Sequence, residues 1–116
     1  MLFRSLPDNV ELKNTVSLKE LIEIISGCSV FAGADSGPAH ISNLLNKRTI
    51  VFWGPGNYER VRPAGNNVKI IKKEVSCRPC RQYFRPDTCE RGDNVCLKRI
   101  KPEEAAEIIK AMLKQK

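Results

Sequence analysis

The run Gly33-Ala34-Asp35-Ser36-Gly37-Pro38-Ala39-His40 brings together the residue types that an anionic ligand needs. The stretch Ser29-Val30-Phe31-Ala32-Gly33 reads as a short buried strand leading into it, and Pro38 suits the first turn of a helix, where its missing N–H would have no partner anyway. At a helix start the unpaired N–H groups point outward and the dipole is positive, so a phosphate can rest there. Gly37 would let a ligand approach the backbone closely. Ser36 offers a hydroxyl, and Asp35 can accept from a ligand hydroxyl or fix the turn. His40 stands four residues after Ser36, so the two can face one ligand. In open α/β sheets ligands bind at the carboxyl ends of strands, where this turn would sit. The alternative is structural: Asp35 or Ser36 caps the helix and His40 is a surface residue.

Three other groups could carry chemistry. Cys77, Cys80, Cys89 and Cys96 follow the spacing C-x2-C-x8-C-x6-C. Four thiolates can close a tetrahedral zinc site. The first pair has knuckle spacing, whereas Cys89 and Cys96 are wider apart than the second pair of a standard ribbon. The N-terminus has no apolar stretch long enough for a secretory signal, so a reducing compartment is expected, which favours metal or free thiols over disulfides. Two disulfides remain an alternative, with three possible pairings. Cys28, between a helix end and a strand, reads as a small core residue. The second group is basic. The stretch from Lys69 to Lys101 holds ten basic and four acidic residues, a surplus of six out of a net charge of +7. Arg78, Arg81, Arg85, Arg91, Lys98, Arg99 and Lys101, with Tyr83 and Phe84 among them, could meet nucleic acid, an anionic lipid surface or a phosphorylated substrate, or form a solvated face. The third is the loop Trp53-Gly54-Pro55-Gly56-Asn57-Tyr58, either the second wall of the Asp35 pocket or a plain Pro/Gly turn.

These residues need a scaffold. Ser17-Leu18-Lys19-Glu20 is a capping box, and Leu18, Leu21, Ile22 and Ile25 recur at helical spacing up to a stop at Gly27. The Asp35 turn should open a second helix running to about Asn46. Thr49 to Trp53 is the clearest strand, and Val68 to Lys72 reads as an edge strand. Residues 1–16 read as loop with a short strand at Val10 to Leu12, and Tyr58 to Asn67 as a polar loop. Pro102 begins a last helix with an apolar stripe of Ala105, Ile108, Ile109, Met112 and Leu113; its glutamates lie near the start and its lysines near the end, as the dipole favours. This order fits an α/β fold with a parallel sheet. About three strands are few for a doubly wound sheet. Residues 1–116 therefore read as one incomplete domain, with a Cys-rich basic insert at 76–97. Among 116 residues, 41% are hydrophobic and 28% charged, which excludes a disordered chain. The longest apolar run, Ile50 to Trp53, has four residues, far below the roughly 20 a membrane helix needs.

Ser17-Leu18-x-Glu20-Leu21, Gly33 to His40 and Phe52-x-Gly54-Pro55, in that order, resemble the C-terminal domain of family 9 glycosyltransferases, the ADP-heptose:lipopolysaccharide heptosyltransferases and their relatives. Cys77-Arg78-Pro79-Cys80, Cys89, Cys96-Leu97 and Ile100-x-Pro102-Glu103 resemble the cysteine-bearing tail of many members. The resemblance implies the C-terminal half of a GT-B fold, a partial Rossmann-like parallel sheet that binds a nucleotide-sugar donor such as ADP-heptose. By position, Asp35, Ser36 and Gly37 would hold the donor's sugar and diphosphate, with His40 close by and Val16 against the nucleobase. The reaction implied is sugar transfer with inversion, needing no cofactor, on the cytoplasmic side and peripheral to the bacterial inner membrane, with anionic lipopolysaccharide or membrane surface as a partner. The N-terminal acceptor domain with its general base, the first donor-domain strands, and a donor-contacting acid and lysine would lie upstream of Met1. This chain by itself is then expected not to transfer sugar at a useful rate, and to need that domain or a partner chain. The alternative expectation is a zinc-stabilised basic module that binds nucleic acid.

Overall fold

Every residue from Thr49 to Val51 is buried, as is Trp53, and Phe52 is half-buried. A strand covered on both faces belongs in the middle of a parallel sheet, and that is its place. A computed structural model of the chain describes residues 7–78, 89 and 94–114. Their elements run α1 (Leu18–Gly27), β1 (Val30–Ala34), α2 (Gly37–Leu44), β2 (Arg48–Phe52), α3 (Tyr58–Val61), β3 (Val68–Ile71), α4 (Val95–Lys98) and α5 (Pro102–Lys114). The three strands form one parallel sheet in the order β1-β2-β3. The fold is thus the α/β parallel arrangement that the sequence implies.

Side chains alternate across β2, and each face has its own core. Val51 and Trp53 meet Ala39 of α2, with Phe31, Tyr58, Val61, Val68 and Ile70 around them. Ile50, with Phe52 partly covered, meets Ile71 and Met112 of α5, with Val30, Ile100, Ile108 and Ile109 around them. Helices therefore cover both faces. Arg48 ties the base of β2 to the end of α5 through a hydrogen bond from Nη1 to the Met112 carbonyl, 2.5 Å.

Several boundaries differ from the sequence reading. The second helix stops at Leu44 rather than Asn46, because Asn46 takes a left-handed conformation (φ 58°) that ends the helical run. Val10 to Leu12 forms no strand: the Val10 amide bonds to the Pro7 carbonyl in a turn, and Val10 and Leu12 are exposed. The apolar stripe of α1 buries only Ile25; Leu18 and Ile22 are exposed, since α1 rests mainly on α2. The stretch from Tyr58 to Asn67 is not all loop but begins with the single turn of α3, whose Asn57 side chain accepts from the Arg60 amide. The turn α4 was also not anticipated. Pro102 does open the last helix.

One polar pair is sealed into the fold. Ser42 of α2 and Thr49 of β2 are fully buried, with their hydroxyls 2.7 Å apart, and Thr49 Oγ1 also donates to the Lys47 carbonyl, 2.9 Å. Thr49 is the hub, so Thr49→Val strands the Ser42 hydroxyl, whereas Ser42→Ala leaves Thr49 with Lys47. An unsatisfied buried hydroxyl costs about 1–3 kcal/mol. Urea denaturation should show Thr49→Val as the more damaging of the two.

Candidate functional site

The sheet register sets the site. Ala34 pairs with Phe52, so the chain leaves β1 at Asp35 directly beside the place where it leaves β2 at Trp53. The two segments singled out from the sequence, the Asp35 turn and the Trp53 loop, thus emerge side by side at the carboxyl end of the sheet.

The helix after the Asp35 turn begins at Gly37, with Ser36 as the N-cap residue in extended conformation. The Ser36 side chain does not cap: its hydroxyl donates backwards to the Ala34 carbonyl, 3.3 Å. The Ala39 amide bonds to the Ser36 carbonyl, 3.1 Å, while Gly37, at the first helical position, has no carbonyl one turn earlier in the helix to bond. Ser36 and Gly37 are exposed and Asp35 is half-buried. A Cβ built on Gly37 would meet nothing within 4 Å, and its backbone is not in the left-handed region. Neither packing nor conformation requires a glycine there, so the open space lies on the outside of the tip. Burial pushes the Asp35 carboxyl above its usual range, against the opposing pull of nearby His40. His40 is exposed on α2, one turn along from Ser36. Val16 is half-buried just before α1.

The neighbouring Trp53 loop is well tied. Trp53 is fully buried, its Nε1 donates to the Gly56 carbonyl, 2.9 Å, and the Tyr58 ring meets it edge-on at 5.8 Å between centroids. Tyr58 is flanked in turn by the cations of Arg62 and Lys72, each 4.8 Å from the ring centre. Arg78 holds the loop from outside, through bonds to the carbonyls of Gly54 and Trp53. Sequence reasoning missed this role, having placed Arg78 on a basic face. Its neighbour Cys77 in the cysteine motif was the available signal. A broad cavity of about 920 Å³ lies elsewhere, at the amino ends of β2 and β3, lined by Asn43, Arg48, Asn67 and Met112 among others, and it includes no residue of the Asp35 turn, the Trp53 loop or the cysteine motif.

The cysteine motif lies partly outside the described residues: Cys80 is not among them, nor are Arg81, Tyr83, Phe84, Arg85 and Arg91. Among the described residues no group of three or more His, Cys, Asp or Glu side chains is gathered as a metal needs. Cys77 is half-buried and has a free thiol, and Cys96 is buried. Cys28 is half-buried rather than a core residue, because it caps the end of α1. Among the described residues no helix is long and apolar enough to cross a membrane.

With this geometry in hand, comparison with known proteins places the chain. Residues 2–90 match glycosyltransferase family 9 (heptosyltransferase). The chain belongs to that family. It is 33% identical over 108 residues to a lipooligosaccharide heptosyltransferase 2 of Campylobacter jejuni serotype O:6, a match covering 90% of this chain and 33% of that protein. The same enzyme from serotype O:2 is 33% identical over 110 residues. A lipopolysaccharide heptosyltransferase 1 of Campylobacter coli is 27% identical over 105 residues, covering 90% of this chain and 29% of the relative. The chain thus spans about a third of the length of the curated relatives it matches. No solved structure matches the chain significantly.

The raised Asp35 pKa has a definite sign. The folded state holds this proton more tightly than the unfolded state, so the ionised carboxylate costs stability above its folded pKa, and the cost vanishes below the unfolded value. Asp35→Asn should therefore be at least as stable as the parent at pH 7, with the two converging as the pH falls to about 3. Thermal melts across that range check it.

Proposed function

We propose that the chain is the nucleotide-sugar-binding portion of an inverting heptosyltransferase, and that the tip of α2 with Asp35, Ser36 and Gly37 receives the donor's sugar and diphosphate. One observation carries the reading: an uncapped, solvent-open helix start stands at the carboxyl end of a parallel strand in a family 9 chain. The exposed Gly37 amide and the positive dipole suit a diphosphate, with Pro38 carrying no N–H and the Ala39 amide given to the Ser36 carbonyl. Ser36 and Asp35 offer hydrogen bonds to sugar hydroxyls, His40 borders the diphosphate, and Val16 packs against the nucleobase. An ADP-heptose-like donor would suit the site, and a heptosyl donor accords with the relatives, which are heptosyltransferases.

In the reaction an acceptor hydroxyl attacks the anomeric carbon from the face opposite the diphosphate. The bond to the diphosphate oxygen breaks, the configuration inverts, and the hydroxyl proton passes to a base. The helix tip stabilises the charge that gathers on the departing diphosphate. The base and the acceptor-binding surface come from the two-thirds of the relatives' length that this chain does not match, so these residues alone bind donor without transferring sugar. The acceptor is lipopolysaccharide, met at the inner face of the bacterial inner membrane from the cytoplasmic side.

ADP titration followed by amide NMR tests the reading. Resonances of Ser36, Gly37 and His40 should move at millimolar ADP; if none moves, the donor assignment falls. Gly37→Ala separates site from fold. With open space around it, the methyl leaves stability unchanged or raises it by up to about 1 kcal/mol, yet it intrudes on the phosphate and should weaken ADP.

A structural zinc held by Cys77, Cys80, Cys89 and Cys96 is a separate proposal, supported by the chemistry of four thiolates alone. Metal analysis should find one zinc per chain, lost in Cys77→Ser. Purified protein with no metal ends the proposal.

A further inference from the structure

We propose that Arg78 is a positioning residue for the donor site, holding the Trp53–Asn57 loop in place as the wall opposite the α2 tip. This rests on the donor-site reading above and adds a residue to it. Arg78 engages three carbonyls at once: Nη1 with Lys73 at 2.7 Å, Nε with Gly54 at 2.8 Å, and Nη2 with Trp53 at 3.4 Å. Gly54 and Trp53 are the first two residues beyond β2, and Lys73 is the second beyond β3. One guanidinium therefore stitches the carboxyl ends of two neighbouring strands. The geometry uses the flat fork of arginine, which an ammonium on a lysine stem cannot reproduce.

Three features point to the loop as what is being held. Arg78 is half-buried, and among the described residues no carboxylate lies in ion-pair range of it, so its bonds go to backbone rather than to a charge partner. The loop has one internal tie, Trp53 Nε1 to the Gly56 carbonyl. It leaves β2 beside the Asp35 turn, by the Ala34–Phe52 pairing. Arg78 directly follows Cys77, so it also gives the cysteine segment a mechanical connection to the site. Its charge sits at the same end of the sheet as the diphosphate-binding tip.

The experiment compares the parent chain with Arg78→Lys and Arg78→Ala. Trp53 is the sole tryptophan, so its fluorescence reports this loop alone. Hydrogen exchange of the Trp53–Asn57 amides and acrylamide quenching of Trp53 measure loop order, and ADP titration measures the site. In Arg78→Lys, Trp53 should become more quenchable, the loop amides should exchange faster, and ADP affinity should fall about tenfold, the scale of charge-assisted hydrogen bonds, with far-UV circular dichroism unchanged. Arg78→Ala should do the same more strongly. Loop exchange and ADP affinity both within twofold of the parent in Arg78→Lys overturn the proposal. So does a loosened loop with parent-like ADP affinity, which makes Arg78 a structural clasp only. If both variants lose their secondary structure, Arg78 holds the fold rather than the site, and the proposal is again wrong. If the parent itself does not bind ADP, the donor reading fails by that measurement and this proposal fails with it, whereas parent binding with unaltered variants overturns Arg78 alone.

Discussion

The parallel pairing of β1 with β2 is the constraint on which the rest depends. Its register sets which side chains of β2 face each helical layer: Ile50 toward α5, Val51 and Trp53 toward α2. A slip of one residue would exchange the two sets and expose one core while overfilling the other. The same register places the Asp35 turn and the Trp53 loop next to each other. Core packing and the placement of these two segments are thus one requirement, and the burial that fixes the register also fixes which strand ends stand side by side.

The tip of α2, like that of the four-residue α4, has no side-chain cap. Two helix starts, those of α1 and α3, are capped by side chains: Ser17 accepts from the Glu20 amide at 3.1 Å, and Asn57 from the Arg60 amide at 3.3 Å. Ser36 is the right residue for the same task, yet it turns its hydroxyl back to Ala34. Asp35 is held partly desolvated without a cation paired to it among the described residues, and Gly37 occupies a helical position with no packing reason for a glycine. Each choice lowers local stability by a small amount. Together they leave open space at an exposed helix start, the pattern expected where a sequence breaks local rules for a ligand.

Much of this was legible in the sequence, for identifiable reasons. The capping box at Ser17, the β-branched run of β2 and the proline at the head of α5 are local signals, and local signals fixed those elements to within a residue or so. The Asp35 turn was legible because a strand, a turn and a helix start follow one another in sequence. The signals that failed depend on distant chain. Val10 to Leu12 alternates like a strand but has no ladder partner among the described residues. The α1 stripe reads as a buried face, yet Leu18 and Ile22 find no cover. Arg78 reads as one more charge in a basic run, because its three carbonyl partners are set by the sheet and not by its neighbours in sequence.

Arg78 also shows why a charge surplus in sequence is a poor measure of a charged surface. Lys72 pairs with Glu74 at 2.9 Å and Lys73 with Glu104 of α5 at 2.8 Å, and Arg78 is turned onto backbone. Exposed pairs of this kind contribute little to stability, but they decide where the positive charge points. Lys72, Lys73 and Arg78 all follow β3, and so lie at the carboxyl end of the sheet with the α2 tip. With Lys72 and Lys73 matched by carboxylates, Arg78 is the cation of the three that adds its charge to the helix-end field there, and fields of that kind draw anions toward a site before any direct contact forms. Of the described cations of the basic stretch, Lys72, Lys73 and Arg78 follow β3 at the carboxyl end of the sheet, whereas Lys69 lies within β3 and lines the cavity at the amino ends of the strands.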